Sequence, residues 1–250
     1  MIDTVERFSD RVANYVKYRP DYPREIVPYL ADKCGLTPDF LVADVGCGPG
    51  QSTRMFLENG NRVLGVEPNG SMRSAAEVLL GSLDFWVIDG TAEATTLPDG
   101  SVDLVVAAQA FHWFDPAKTR AEFGRILKPG GHIVLMWNER KLDTTPFLVE
   151  YEEFLLKYAT DYSKVRHENV DALRLNDFFQ TDYGSAVFEN VQVFDFDALK
   201  GRMFSSSYMP SEDAPVAEAM ISELYSLFAK HSENGRINVF YDTRVYHSAV

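Results

Sequence analysis

The stretch Leu41–Thr53, LVADVGCGPGQST, decides the reading of this chain. Leu41, Val42, Ala43 and Val45 form a short apolar run, the signature of a strand covered on both faces. Gly46, Gly48 and Gly50 follow at alternate positions and read as a tight turn that lets a ligand approach the backbone. The helix expected next points its unpaired N–H groups and the positive end of its dipole at that ligand. Strand, glycine turn and helix together form a nucleotide-type site at the carboxyl end of a sheet.

The spacing narrows the ligand. A dinucleotide fingerprint needs a third glycine at position 51, where this chain has Gln51, and no GK[ST] follows to make a phosphate loop. Asp44 stands two residues before the first glycine, where it repels a pyrophosphate and attracts a cation. Glu67 closes the next apolar run, Val63–Val66. S-adenosylmethionine has the matching groups: a sulfonium, an ammonium and a ribose diol, with no phosphate. Asp44 and the glycine turn suit its amino-acid end, and Glu67 suits its ribose. Taken singly, either carboxylate also suits a cap on a strand or helix.

VADVGCGPGQST followed by GVEPNGSM closely resembles the class I S-adenosylmethionine-dependent methyltransferases. The resemblance implies donor contacts from Asp44, Gly46, Cys47, Gly48, Gly50, Glu67, Pro68 and Met72. Upstream, Phe8–Pro23 reads FSDRVANYVKYRPDYP and is similar to the amino-terminal lid of the type 11 group, which includes the trans-aconitate methyltransferases. That likeness implies a lid over the glycine turn. Arg19 then offers a forked donor to a carboxylate of the methyl donor, and Tyr15 and Tyr22 face the acceptor. Ordinary surface packing is the competing reading for the tyrosines.

Apolar runs at Leu83–Ile88, Val102–Ala108 and Ile133–Met136 continue the pattern, with helical spacing at Arg54–Glu58, Ser71–Leu80 and Ala117–Leu127. Lys128–Gly131, KPGG, reads as the stop of the last of these helices. Alternating strands and helices imply a parallel sheet with right-handed crossovers. Asp89 with Gly90, Thr91 and Ala92 ends the third strand. From the residues alone an N-cap is the favoured reading, whereas the family likeness places adenine contacts there. AQAFHWFDP, Ala108–Pro116, resembles the loop of the trans-aconitate group that sits against the methyl donor and faces the acceptor. It makes Gln109 a donor contact, and His112 and Trp113 acceptor contacts. His112 suits a general base, or a packed histidine bonded to a backbone carbonyl. Trp137, Asn138 and Arg140 end the fifth strand and are the remaining acceptor candidates, with a helix cap and a surface arginine as the competing reading.

From Lys141 to Thr181 the alternation gives way to two amphipathic helices, around Phe147–Tyr158 and Leu173–Phe179. Val187–Phe196 and Ile237–Val245 alternate as strands, and Leu199–Ser207 and Ala214–Lys230 have helical spacing. The expected fold is α/β and doubly wound. Its seven-stranded, mostly parallel sheet has helices on both faces, and the family likeness supplies the strand count and an antiparallel last strand. Residues 1–33 form the lid, 34–140 the cofactor-binding core, 141–181 a helical cap and 182–250 the completing strands and helices of one domain.

A net charge of −13 argues against a nucleic-acid groove and against anionic membranes. No run of 18 apolar residues and no signal-peptide pattern is present, and the two cysteines, Cys34 and Cys47, imply neither disulfides nor a zinc cluster. The expectation is a cytoplasmic enzyme acting on a small-molecule acceptor, with no metal. A nicotinamide-dependent oxidoreductase, a metal-dependent methyltransferase and a non-catalytic S-adenosylmethionine-binding protein are the alternatives.

Overall fold

The computed structural model describes residues 12–160, 162 and 172–250. The first part of the expected lid, including Phe8, and residues 161 and 163–171 of the expected cap lie outside these. Chain order is α1 (Val12–Tyr18), α2 (Ile26–Cys34), β1 (Leu41–Val45), α3 (Gln51–Glu58), β2 (Arg62–Val66), α4 (Gly70–Leu80), β3 (Phe85–Ile88), β4 (Val102–Ala108), α5 (Pro116–Ile126) and β5 (Leu127–Arg140). Then follow α6 (Pro146–Tyr158), α7 (Ala172–Phe179), β6 (Gly184–Phe194), α8 (Phe196–Phe204), α9 (Ala217–His231) and β7 (Ile237–Ala249). Helix starts follow the capping rule: the side chains of Asn69, Asp115, Thr145 and Asp195 accept from the third backbone N–H of their helices.

The sheet has seven strands in the order β3-β2-β1-β4-β5-β7-β6. The first five are parallel, and β7 runs antiparallel to both β5 and β6. The strand order reverses between β1 and β4, so the crevice at their carboxyl ends is the topological switch point where ligands bind in open α/β sheets. No helix among the described residues is long and apolar enough to cross a membrane.

Strand alternation sorts the core. Ala43, Val45, Val105, Ala107, Ile133 and Leu135 pack on one face with Phe123 of α5 and Phe178 of α7. Val42, Val63, Leu104, Val106, Val134 and Met136 pack on the other with α2, α3 and α4. A third cluster joins α6, α8 and α9 to the start of β7. The two helices of the expected cap therefore separate. Part of that segment, α7, covers the sheet beside α5, while α6 packs on α9.

One boundary departs from expectation. Lys128–Gly131 extends β5 instead of capping α5, which ends at Ile126. Lys128 Nζ reaches both carboxylate oxygens of Asp103 at 2.9 Å, holding the segment beside β4.

Asp44 alternates onto the α3 side of β1 and is fully buried. Its Oδ2 accepts from the hydroxyls of Ser52 and Thr53, each at 2.7 Å, so the carboxylate ties the strand to the helix across the glycine turn. Burial nevertheless dominates and raises its pKa from 3.8 to about 6. The folded chain thus binds a proton that the unfolded chain has lost between these two values. Stability falls as pH rises through that window, and the buried anion costs about 3 kcal/mol above it. Asp44→Asn is expected to stabilise the ligand-free protein in urea unfolding at pH 7.5 and to give no gain at pH 4. Equal gains at both pH values would contradict this account.

Candidate functional site

The glycine turn is shaped by two different requirements. Gly46 and Gly48 adopt φ of 72° and 56°, the left-handed region that side chains disfavour. A Cβ on Gly46 would lie 2.6 Å from the Ala110 Cβ, so the close approach of the β1 and β4 ends excludes one. A Cβ on Gly48 would meet no atom within 4 Å. It would stand in a cavity of about 150 Å³, which Gly48 lines with Glu67, Asn69, Met72, Trp113 and Phe114.

Glu67, at the end of β2, holds the turn open. Its Oε2 accepts from the Gly48 N–H at 3.0 Å, and its Oε1 accepts from the Asn69 N–H at 2.9 Å. Each oxygen keeps a further lone pair for a ligand hydroxyl. Burial raises its pKa, against the opposing pull of these two N–H groups.

Gln109 stands at the junction of three spaces. It follows β4 in a left-handed conformation, φ 57°, and its Nε2 donates to the Asn138 carbonyl at 3.3 Å. It lines the first cavity, a second of about 460 Å³, and a narrow space of about 30 Å³ between them. That narrow space shares Gly46 and Ala108 with the first cavity, and Arg19 and Asn138 with the second.

The second cavity gathers Arg19, Arg140 and Arg202 around Tyr208 and Tyr241; Glu139, Asp143 and Asp242 also line it, with Arg244 paired to Glu139 and Lys141 to Asp242. Arg140 is paired with Glu152 of α6, donates to the Tyr162 hydroxyl at 3.1 Å, and stands over the Tyr151 ring at 5.2 Å. Arg19 donates to the Ser205 carbonyl at 2.9 Å and lies over the Tyr15 ring at 4.8 Å. Arg202 donates to Ser206 Oγ at 2.9 Å. Among the described residues neither Arg19 nor Arg202 has a carboxylate partner, and the Nε of each is buried without a hydrogen bond. Burial alone would push the Tyr208 phenol up, but Arg202, Arg19 and Arg140 outweigh it and hold its pKa below the ordinary value.

Many of the expected contact residues line these spaces. Gly46, Gly48, Glu67, Pro68, Met72 and Gln109 line the first cavity, and so do Trp113 and Tyr15, which were expected to face the acceptor and do not line the second cavity. Cys47 and Tyr22 line the narrow space, and Arg19 and Arg140 line the second cavity. Others are placed differently. Asp44 lies behind the turn and lines neither cavity. Gly50 caps α3, and a Cβ there would meet Leu80 at 2.3 Å, so its role is packing. Asp89 points to solvent and is held by both terminal nitrogens of Arg73, at 3.1 and 2.9 Å. Thr91 bridges to Ala94, Ala92 is buried in the core, and none of Asp89, Gly90, Thr91 and Ala92 lines the first cavity. His112 lines neither cavity; its carbonyl is 3.4 Å from Arg174 Nη2. Trp137 is 1% exposed and packs between Phe111 and Tyr246. It belongs to the core, because β5 directs Asn138 and Arg140 to one side and Trp137 to the other.

Sequence reasoning missed Asn69, Arg202, Tyr208 and Tyr241. Asn69 was readable as the cap of α4. The other three lie on α8, in the loop after it and on β7, with no local motif to mark them.

The first cavity fits an adenosyl compound without phosphate. The open space at Gly48 admits the ligand against the backbone, and Glu67 presents spare acceptors for a diol. The orphaned Oδ1 of buried Asp44 leaves uncompensated negative charge beside the turn, which favours a cation. Known proteins agree. Residues 43–135 match the methyltransferase domain family. An uncharacterized methyltransferase of Mycobacterium tuberculosis is 40% identical over 134 residues, 53% of this chain and 52% of that protein. The chain thus spans about half the length of the first curated relatives it matches. An uncharacterized methyltransferase-like protein of Schizosaccharomyces pombe is 27% identical over 98% of this chain and 95% of its own. A structure assigned as a type II methyltransferase from Anaeromyxobacter dehalogenans shares the fold with a TM-score of 0.70 at 21% identity, covering 93% of this chain and 98% of that one. Residues 43–135 are therefore similar to the methyltransferase domain family, and the chain as a whole shares its fold with a solved structure of that kind.

Proposed function

We propose that this chain transfers the methyl group of S-adenosylmethionine to a small acidic acceptor, a carboxylate, held in the second cavity. The observation that carries this reading is the pair of half-buried guanidiniums, Arg19 and Arg202, which line this cavity, each with a buried Nε and no carboxylate partner among the described residues. An unpaired charge partly withdrawn from water is costly, so its retention in a chain of net charge −13 favours an anionic ligand. The resemblance to the trans-aconitate group points the same way.

In this reading Gly46, Gly48, Glu67, Met72 and Trp113 hold the donor. The sulfonium supplies an activated methyl group together with its leaving group. Gln109 and Asn138 stand where the cavities meet and set the approach of the acceptor. Asn138 is itself fixed by Thr243, Asn190 and the Asp21 carbonyl. Arg19, Arg140 and Arg202 orient the acceptor carboxylate. Orientation of this kind supplies roughly 7–11 kcal/mol of barrier reduction. A carboxylate needs no base to become nucleophilic, so the position of His112 outside both cavities leaves the chemistry intact.

Isotopically labelled donor is to be incubated with panels of small carboxylic acids, amines and phenols. Acids are expected to give base-labile methyl esters. Turnover confined to amines or phenols would overturn the acidic acceptor, and binding of the demethylated donor without any product would leave a binding protein. Arg202→Met is expected to lower kcat/KM for the acid by about a hundredfold while calorimetry gives an unchanged Kd for S-adenosylhomocysteine. Gly48→Ala makes the opposite prediction. It strains one left-handed residue by about 1–2 kcal/mol and puts a methyl into the first cavity, so donor affinity falls at least tenfold in the same titration.

A further inference from the structure

We propose that Arg174, on α7, is a positioning residue for the donor cavity. It holds from behind the turn that carries Trp113 and Phe114. Three carbonyls at the end of the single 3-10 turn Phe111–Trp113 converge on Arg174 Nη2: Phe111 at 3.3 Å, and His112 and Phe114 at 3.4 Å each. The Phe111 carbonyl already accepts from the Phe114 N–H at 3.1 Å within the turn, and a cation beside it and the two carbonyls that follow opposes the local dipole. The same guanidinium lies over the Phe111 ring at 5.2 Å.

A second contact from α7 acts on the same turn. Phe178, four residues after Arg174 and so on the same helical face, meets the Phe111 ring edge-on at 4.6 Å. Cation and aromatic ring together fix Phe111. Phe111 in turn fixes Trp113 and Phe114, which form one wall of the donor cavity. The turn has little freedom on its other side, because it begins directly after left-handed Gln109 and Ala110 abuts Gly46. The wall thus depends on a helix that lies beyond residue 135, where the match to the methyltransferase domain family ends.

The inference rests on the first cavity being the donor site, and the experiment separates the two. Arg174→Ala, Arg174→Lys and Arg174→Gln are compared with the control Leu173→Ala, which changes an exposed residue of the same helix. Calorimetry with S-adenosylhomocysteine and steady-state kinetics with the best acid of the panel are the readouts. Arg174→Ala is expected to weaken S-adenosylhomocysteine binding and raise the donor KM by about tenfold or more. Its kcat and acceptor KM are expected to stay within about twofold, with altered near-ultraviolet circular dichroism from Trp113. Arg174→Lys keeps a cation and recovers most of the affinity, whereas Arg174→Gln does not, and Leu173→Ala leaves the Kd unchanged. Wild-type affinity in Arg174→Ala overturns the proposal, as does an equal loss in Leu173→Ala. If Arg174→Ala does not fold, equal donor KM values in the Lys and Gln variants overturn it and a lower value for Lys supports it. Absence of any binding heat in the wild-type protein would instead remove the donor-site reading itself.

Discussion

The bond from the Gly48 N–H to Glu67 Oε2 is the constraint on which the site depends. It joins the turn after β1 to the end of β2, the neighbouring parallel strand, and so sets the width of the opening at the switch point. A neutral side chain could fill the same space, but it could not accept from Gly48 and Asn69 at once while keeping lone pairs free. Behind the turn, Asp44 ties β1 to α3 through two hydroxyls. The two carboxylates thus divide the work: one shapes the exposed side of the loop, and the other secures its buried side at a cost in stability.

The second cavity inverts the electrostatics of the rest of the chain. The surface carries the excess of acidic side chains, whereas the interior beside β5 and β7 gathers guanidiniums. Arg140 is neutralised by Glu152, a residue of α6, so the helical segment after β5 sets the net charge of the chamber. What remains uncompensated is Arg19, from the segment after α1, and Arg202, from α8. Residues far apart in the chain therefore converge on one chamber, while the first cavity is built around neighbouring strand ends.

That difference explains what was legible in the sequence. The strands, the glycine turn and Glu67 announce themselves within Leu41–Glu67, because each step of the argument is local. Trp137 was misplaced although strand parity was available: in an extended segment it cannot share a side with both Asn138 and Arg140. The KPGG segment was misread for a different reason. Glycines suit a helix stop equally well when tertiary pairing, here Lys128 with Asp103, draws them into a sheet. Asp89 looked free to read an adenine edge because nothing in its vicinity foretold Arg73, sixteen residues earlier and on a different element. Arg202 and Tyr208 could not be found from spacing at all, since only the packing of α6, α8 and β7 brings them to the same chamber.

The position of β7 has an implication for biogenesis. This strand is the last of the seven in chain order, yet it inserts between β5 and β6 and supplies Tyr241 and Arg244 to the second cavity. The five parallel strands and the glycine turn precede it, complete by residue 140, and α7, behind the Trp113 wall, follows by Phe179. A nascent chain can therefore complete the first cavity while the second still lacks the wall that β7 provides.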